Sequence, residues 1–146
     1  MTERTKSICI DVDGVLAQYD GWKGVDVIGD PYEGAVGFVN YLYEYFKVII
    51  HTTRANPEVN KLFTKEELEQ KIALWLDKWG FKYDEIQGKP IAVGYVDDKA
   101  IHCNPLRNSK AWNYFASSAG QIRLMNPNAH MLNYVNVQSV AQENQG

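Results

Sequence analysis

Apolar and polar positions alternate along this chain in blocks, and each block has its own period. Residues 6–11 run from Lys6 through Ile8, Cys9 and Ile10 to Asp11, the pattern of a short buried strand. Val36, Val39, Leu42, Tyr43 and Phe46 then recur at helical spacing. With Asp30 as N-cap and Pro31 at the first helical position, they predict an amphipathic helix over 31–46. Residues 48–52, Val-Ile-Ile-His-Thr, read as a second buried strand. Thr64 followed three residues later by Glu67 is a capping box. It opens a helix whose stripe is Leu68, Ile72, Trp75, Leu76 and Trp79, and Gly80 ends it. Residues 83–86 suggest a very short extended piece. Residues 91–96, Ile-Ala-Val-Gly-Tyr-Val, read as the third buried strand. A helix over 108–118, an outer strand over 121–125 and a short helix over 136–143 complete the expectation. Beyond Asn126 the pattern fades into Asn and Gln. The Gly- and Asp-rich residues 16–30 read as a loop or small hairpin.

Strand and helix alternate through the first hundred residues, which predicts an α/β fold, a doubly wound domain with a central parallel sheet and right-handed crossovers. The 146 residues suffice for one such domain, and no repeat or linker divides them. Apolar content of 45% and charged content of 23% are those of an ordinary globular chain. No apolar run approaches the roughly 20 residues that span a bilayer, and the N-terminus lacks a signal-like apolar core. The expectation is therefore no membrane and a cytoplasmic protein. A net charge of −3 gives no global attraction to nucleic acid. Cys9 and Cys103 make neither a disulfide framework nor a zinc cluster, and Cys9, inside the first apolar run, is expected to be a buried thiol.

The chemistry lies where the apolar runs stop. Asp11 and Asp13 are two apart, so on an extended chain they share a face, and Gly14 lets the backbone turn after them. The second run ends in Thr52 and Thr53, and the third in Asp97 and Asp98. Ligands of open parallel sheets bind at the carboxyl ends of the strands. Four carboxylates, two hydroxyls and the nearby Lys89 at one edge suit a phosphate bound beside Mg²⁺, a hard cation that takes oxygen ligands.

In this order, Asp11-Val12-Asp13-Gly14-Val15, then Thr52, then Lys89, then Asp97-Asp98, the chain resembles the haloacid dehalogenase (HAD) superfamily over about residues 6–103. The resemblance implies a three-layer Rossmann-like domain. Asp11 would be the nucleophile that forms an aspartyl-phosphate, and Asp13 the general acid and then base. Thr52 would hydrogen-bond the phosphoryl group and Lys89 would stabilise its charge, with Lys99 as the alternative lysine. Asp11, Asp13, Asp97 and Asp98 would hold Mg²⁺. An acid at position 13 favours phosphatase or phosphotransferase chemistry over dehalogenation. Val15 stands where many members have Thr. The intervals from Asp11 to Thr52 and from Thr53 to Lys89 hold little more than one helix each, so the resemblance implies a compact, capless type without a separate cap domain. Residues 17–29 would be a short flap, and the tail from about 127 is undefined. An open site admits a phosphorylated small molecule, a nucleic-acid end or a phosphoprotein. A neighbouring subunit of a homo-oligomer could equally close it.

Among the remaining residues, Tyr19, Trp22 and Lys23 of the flap could stack on a base or sugar and touch phosphate, or simply pack on the domain. Arg54 could grip a second phosphate or a substrate carboxylate, or form an ion pair at the surface. Thr53 and Gly14 join the substrate-binding candidates. His51 points away from Thr52 and reads as structural. His102 is a candidate for the rim of the site. Trp75 and Trp79 read as core. Lys61, Lys65, Lys71, Lys78 and Lys82 are interleaved with Glu58, Glu66, Glu67 and Glu69, so they form a solvated helix face rather than a basic patch. The reading is a Mg²⁺-dependent phosphohydrolase. The alternatives are a non-catalytic binding or regulatory module on the same scaffold and a phosphotransferase, which a site without a cap to exclude water disfavours.

Overall fold

A computed structural model describes residues 4–105 and 111–125. Its element order is β1 (Ser7–Ile10), α1 (Ala35–Tyr43), β2 (Lys47–Thr52), α2 (Lys65–Trp79), β3 (Glu85–Gly88) and α3 (Ala111–Met125). Two single 3-10 turns, Thr53–Ala55 and Pro57–Val59, link β2 to α2. The three strands form a parallel sheet in the order β1-β2-β3, with Ile10 beside Ile50 and Thr52 beside Gly88. The α/β class and the parallel sheet expected from the alternation of elements are present.

Strand β2 is central and carries Val48, Ile49 and Ile50, all buried. Successive side chains of a strand face opposite ways: Ile8, Ile10, Val48, Ile50 and Ile86 face the core, while Cys9, Lys47 and Gln87 on the other face are exposed. Helix α1 packs on β2 and on α3, where Phe38 and Phe115 lie with ring centroids 5.0 Å apart. Helix α2 packs on β3 and on the first 3-10 turn. Its capping box forms as the sequence specifies. Thr64 Oγ1 accepts from the Glu67 amide at 3.2 Å, and Glu67 Oε1 accepts from the Thr64 amide at 3.0 Å. Gly80 closes the helix at φ 82°, a left-handed conformation that favours glycine. Leu68, Ile72, Trp75 and Leu76 are its buried stripe.

Several expectations fail for identifiable reasons. Helix α1 begins at Ala35, not at 31. Asp30 and Pro31 are instead held by bridges to the flap: the Asp30 carbonyl accepts from Gln18 N at 2.9 Å, and Pro31 pairs with Ala17. The third strand is residues 85–88, within and just past the short piece expected at 83–86, and residues 91–96 are not a strand. Asp84 fixes that choice. Its carboxylate accepts from the Val48 amide at 2.8 Å and from Arg4 at 2.8 and 3.1 Å, which pins the start of β3 against β2. Residues 121–125 continue helix α3 rather than forming an outer strand. Trp79 lies at the exposed margin of α2 under the Lys78 ammonium. Cys9 is exposed, because β1 is an edge strand and Cys9 lies on the side away from Ile10. The helix expected at 136–143 lies outside the described residues. Among the described residues, no helix is long and apolar enough to cross a membrane.

Candidate active site

The carboxyl ends of β1 and β2 meet over a tight turn. The Val12 carbonyl accepts from the amides of Val15, Leu16 and Ala17, at 3.2, 2.8 and 2.9 Å. Gly14, at φ 77°, supplies the left-handed residue this reversal needs. Val12 and Leu16 are fully buried beneath it, so packing fixes the backbone from which Asp11 and Asp13 project.

Asp11 is half-buried. Its Oδ1 accepts from the Val12 amide at 2.7 Å, and its Oδ2 lies 3.6 Å from Lys89 Nζ. Burial pushes the Asp11 carboxyl above its ordinary range. Lys89 and the Val12 amide oppose that rise, and the nearby Asp13 adds to it. Lys89 follows β3 directly. Its amide donates to the Thr52 carbonyl at 3.0 Å, and its ammonium lies 4.1 Å from the centre of the Tyr95 ring. Burial and the Lys89 charge lower the pKa of His51, consistent with a neutral, structural imidazole.

Thr52 is completely enclosed, and its Oγ1 accepts from the Arg54 amide at 3.2 Å, capping the 3-10 turn. Thr53, one residue on, is half-exposed. Arg54 is only 4% exposed. It donates from Nε to Asp13 Oδ2 at 2.6 Å and from Nη2 to Asp13 Oδ1 at 2.9 Å. It also donates to the Val27 and Gly24 carbonyls of the flap at 2.8 and 3.4 Å, beneath the Trp22 ring. With its donors so engaged, Arg54 is neither a free anion grip nor a surface pair. The signal in the sequence was an arginine two residues past a buried strand, which needs a carboxylate partner to be enclosed.

The flap is a tethered segment. Besides Arg54, Trp75 Nε1 donates to the Gly29 carbonyl at 3.0 Å and Lys71 pairs with Asp26. Neither tether was foreseen from the sequence. Trp22 remains 45% exposed, Tyr19 is half-buried, and Lys23 is exposed in an ion pair with Asp20.

Asp97 and Asp98 are exposed, on the segment that was expected to be a strand. Asp97 accepts from the Lys99 amide at 2.8 Å. This bond, with the neighbouring Asp98, holds Asp97 below the usual carboxylate range. Among the described residues no three His, Cys, Asp or Glu side chains gather closely enough to hold a metal ion. Both Asp13 oxygens face Arg54, so the donors assembled here amount to Asp11 and do not fit a complete Mg²⁺ site. Asp11, Asp13, Thr52, Arg54 and Lys89 thus belong to one connected group, and Asp97, Asp98 and Lys99 do not join it.

No family model and no curated protein matches the chain. A crystal structure of a protein from Vibrio cholerae is similar at 18% identity over 95% of this chain and 98% of that one, with a TM-score of 0.44. A likeness this loose carries no argument about function.

Proposed function

We propose that the chain is a HAD-type phosphohydrolase acting through Asp11 on a phosphorylated small molecule or a nucleic-acid end. One observation carries the reading: a half-buried carboxylate and an ammonium, Asp11 and Lys89, lie 3.6 Å apart at the carboxyl ends of strands in one parallel sheet. Asp11 Oδ1 is occupied by the Val12 amide, which leaves Oδ2 to attack phosphorus beside the cation. Lys89 then offsets charge as the aspartyl-phosphate forms. Asp13 gives its proton to the leaving oxygen and later accepts one from water. Thr53, more accessible than the enclosed Thr52, is the hydroxyl suited to the phosphoryl oxygens. Tyr19, Trp22 and Lys23 form the rim on which a nucleotide-like group would rest. A cytoplasmic location and closure of the open site by a second copy of the chain belong to the same reading.

Mg²⁺ enters the proposal from the ordered acids in the sequence alone, since the donors gathered at Asp11 do not complete a site for it. In phosphoryl transfer the ion supplies neutralisation of charge between an anionic nucleophile and an anionic substrate.

The exposure of Asp97 and Asp98 favours one other reading, a phosphate-binding module without turnover, since Lys89 alone could hold an anion. The test is phosphate release from an aryl phosphate and a panel of nucleotides, with and without Mg²⁺, beside Asp11→Asn. Release by the wild type and none by the variant supports the enzyme. Equal release by both overturns the role of Asp11. Phosphate binding without release by either favours the module.

A further inference from the structure

Arg54 Nη2 donates to two acceptors, Asp13 Oδ1 at 2.9 Å and the Val27 carbonyl at 2.8 Å. One buried nitrogen thus joins the second acid of the site to the flap. The rest of the guanidinium repeats the connection: Nε holds Asp13 Oδ2 at 2.6 Å and Nη1 reaches the Gly24 carbonyl at 3.4 Å. Trp22 lies over the same group, 4.8 Å from ring centre to Arg54 Cζ. Thr52 Oγ1 fixes the Arg54 backbone from below. A planar fork of five donors can bridge a carboxylate and two carbonyls at once, which an ammonium cannot.

We propose that Arg54 is a positioning residue that acts through Asp13, setting the carboxylate for proton transfer only while residues 17–29 are clasped over the site. The proposal rests on the phosphohydrolase reading for its chemistry and on the contacts above for its geometry. In the first half-reaction Asp11 bonds to phosphorus, the bond to the leaving oxygen breaks, and the proton of Asp13 goes to that oxygen. In the second, water bonds to phosphorus, its proton returns to Asp13, and the Asp11–phosphorus bond breaks. Because Nη2 holds both Asp13 Oδ1 and the Val27 carbonyl, the orientation of the Asp13 carboxylate and the position of the flap are coupled through a single atom.

The test pairs two substrates and two variants. An aryl phosphate with an acidic phenol leaves without protonation, whereas an alkyl phosphate needs the proton. Arg54→Lys and Arg54→Ala should lower kcat on the alkyl phosphate by about 100-fold more than on the aryl phosphate, the scale of a general-acid contribution. In an Asp13→Asn background the Arg54 substitutions should add little. Equal losses on both substrates, or fully additive losses with Asp13→Asn, overturn the proposal, because a merely structural arginine would act on both substrates alike. The clasp is read separately, by trypsin cleavage after Lys23, which is exposed in the flap. Arg54→Ala should accelerate this cut relative to cleavage after Lys82, and Arg54→Lys should accelerate it less. An unchanged rate overturns the clasp whether or not the wild type is active. Acceleration in a protein that releases no phosphate would keep the clasp, and the phosphohydrolase reading and the proton-transfer role that rests on it would both be overturned.

Discussion

Val48 and Val93 occupy similar places in the sequence, each inside an apolar run that ends in polar residues, yet Val48 is fully buried and Val93 fully exposed. Around Val48 the run becomes β2, paired on both sides by β1 and β3. Around Val93 it pairs with neither strand, and Ile91 and Val96 are exposed with it. An apolar run is therefore only half of a strand, and the ladder partner is the other half. The acids that follow β1 and the run around Val93 diverge in the same way. Asp11, set at the end of a paired strand, is pushed above its ordinary range by burial. Asp97, on the unpaired segment, is held below its range by the Lys99 amide and its neighbour Asp98.

Substitutions can break this contrast. Ile50→Ala should cost about 2–5 kcal/mol by urea denaturation, because it opens a cavity in the packed centre of β2. Val96→Ala should stay within about 0.5 kcal/mol. Similar costs at both positions would mean that residues 91–96 are packed in solution. Gly29→Ala tests whether the flap is as firmly set as β2. An added Cβ would fall 2.1 Å from the Gln18 carbonyl oxygen, so the flap must shift, at about 1–3 kcal/mol. No change in melting temperature would show a looser flap than the tethers imply. Thr64→Ala calibrates a purely local feature, with an expected loss of about 1 kcal/mol by the same denaturation assay.

The smallest effect is a pH dependence at Asp11. Its folded pKa is raised, so the native state binds a proton that the unfolded state has released between the ordinary carboxylate range and the raised value. Asp11 therefore favours folding at pH below its unfolded pKa, and that contribution is lost as pH rises through the folded value. Asp11→Asn, which stays neutral, should gain melting temperature relative to wild type across that window. A gap that narrows with rising pH would contradict the burial of Asp11.

Much of this was legible in the sequence because it is local. The capping box of Thr64 and Glu67, the Gly80 stop, the stripe of α2 and the turn at Gly14 each depend on residues within a few positions, whose spacing fixes their geometry. The central strand was legible too, since its apolar run is long enough to be buried on both faces. At the candidate site the sequence placed Asp11 and Lys89 near one edge of the sheet, and the two lie 3.6 Å apart there.

What the sequence could not decide was pairing between distant residues. Residues 83–86 read as a very short extended piece and residues 91–96, on their apolar content, as the third strand. The tertiary structure chose the first, because Asp84 ties that stretch to Val48 and Arg4 through bonds no periodicity reveals. Arg54 likewise read as a grip for a substrate anion or a surface ion pair, and it is buried against Asp13 and the flap carbonyls. Periodicity reports which residues avoid water. Which partner each one meets is set by the path of the whole chain, and the surroundings of Asp13, Arg54 and Asp97 were decided there.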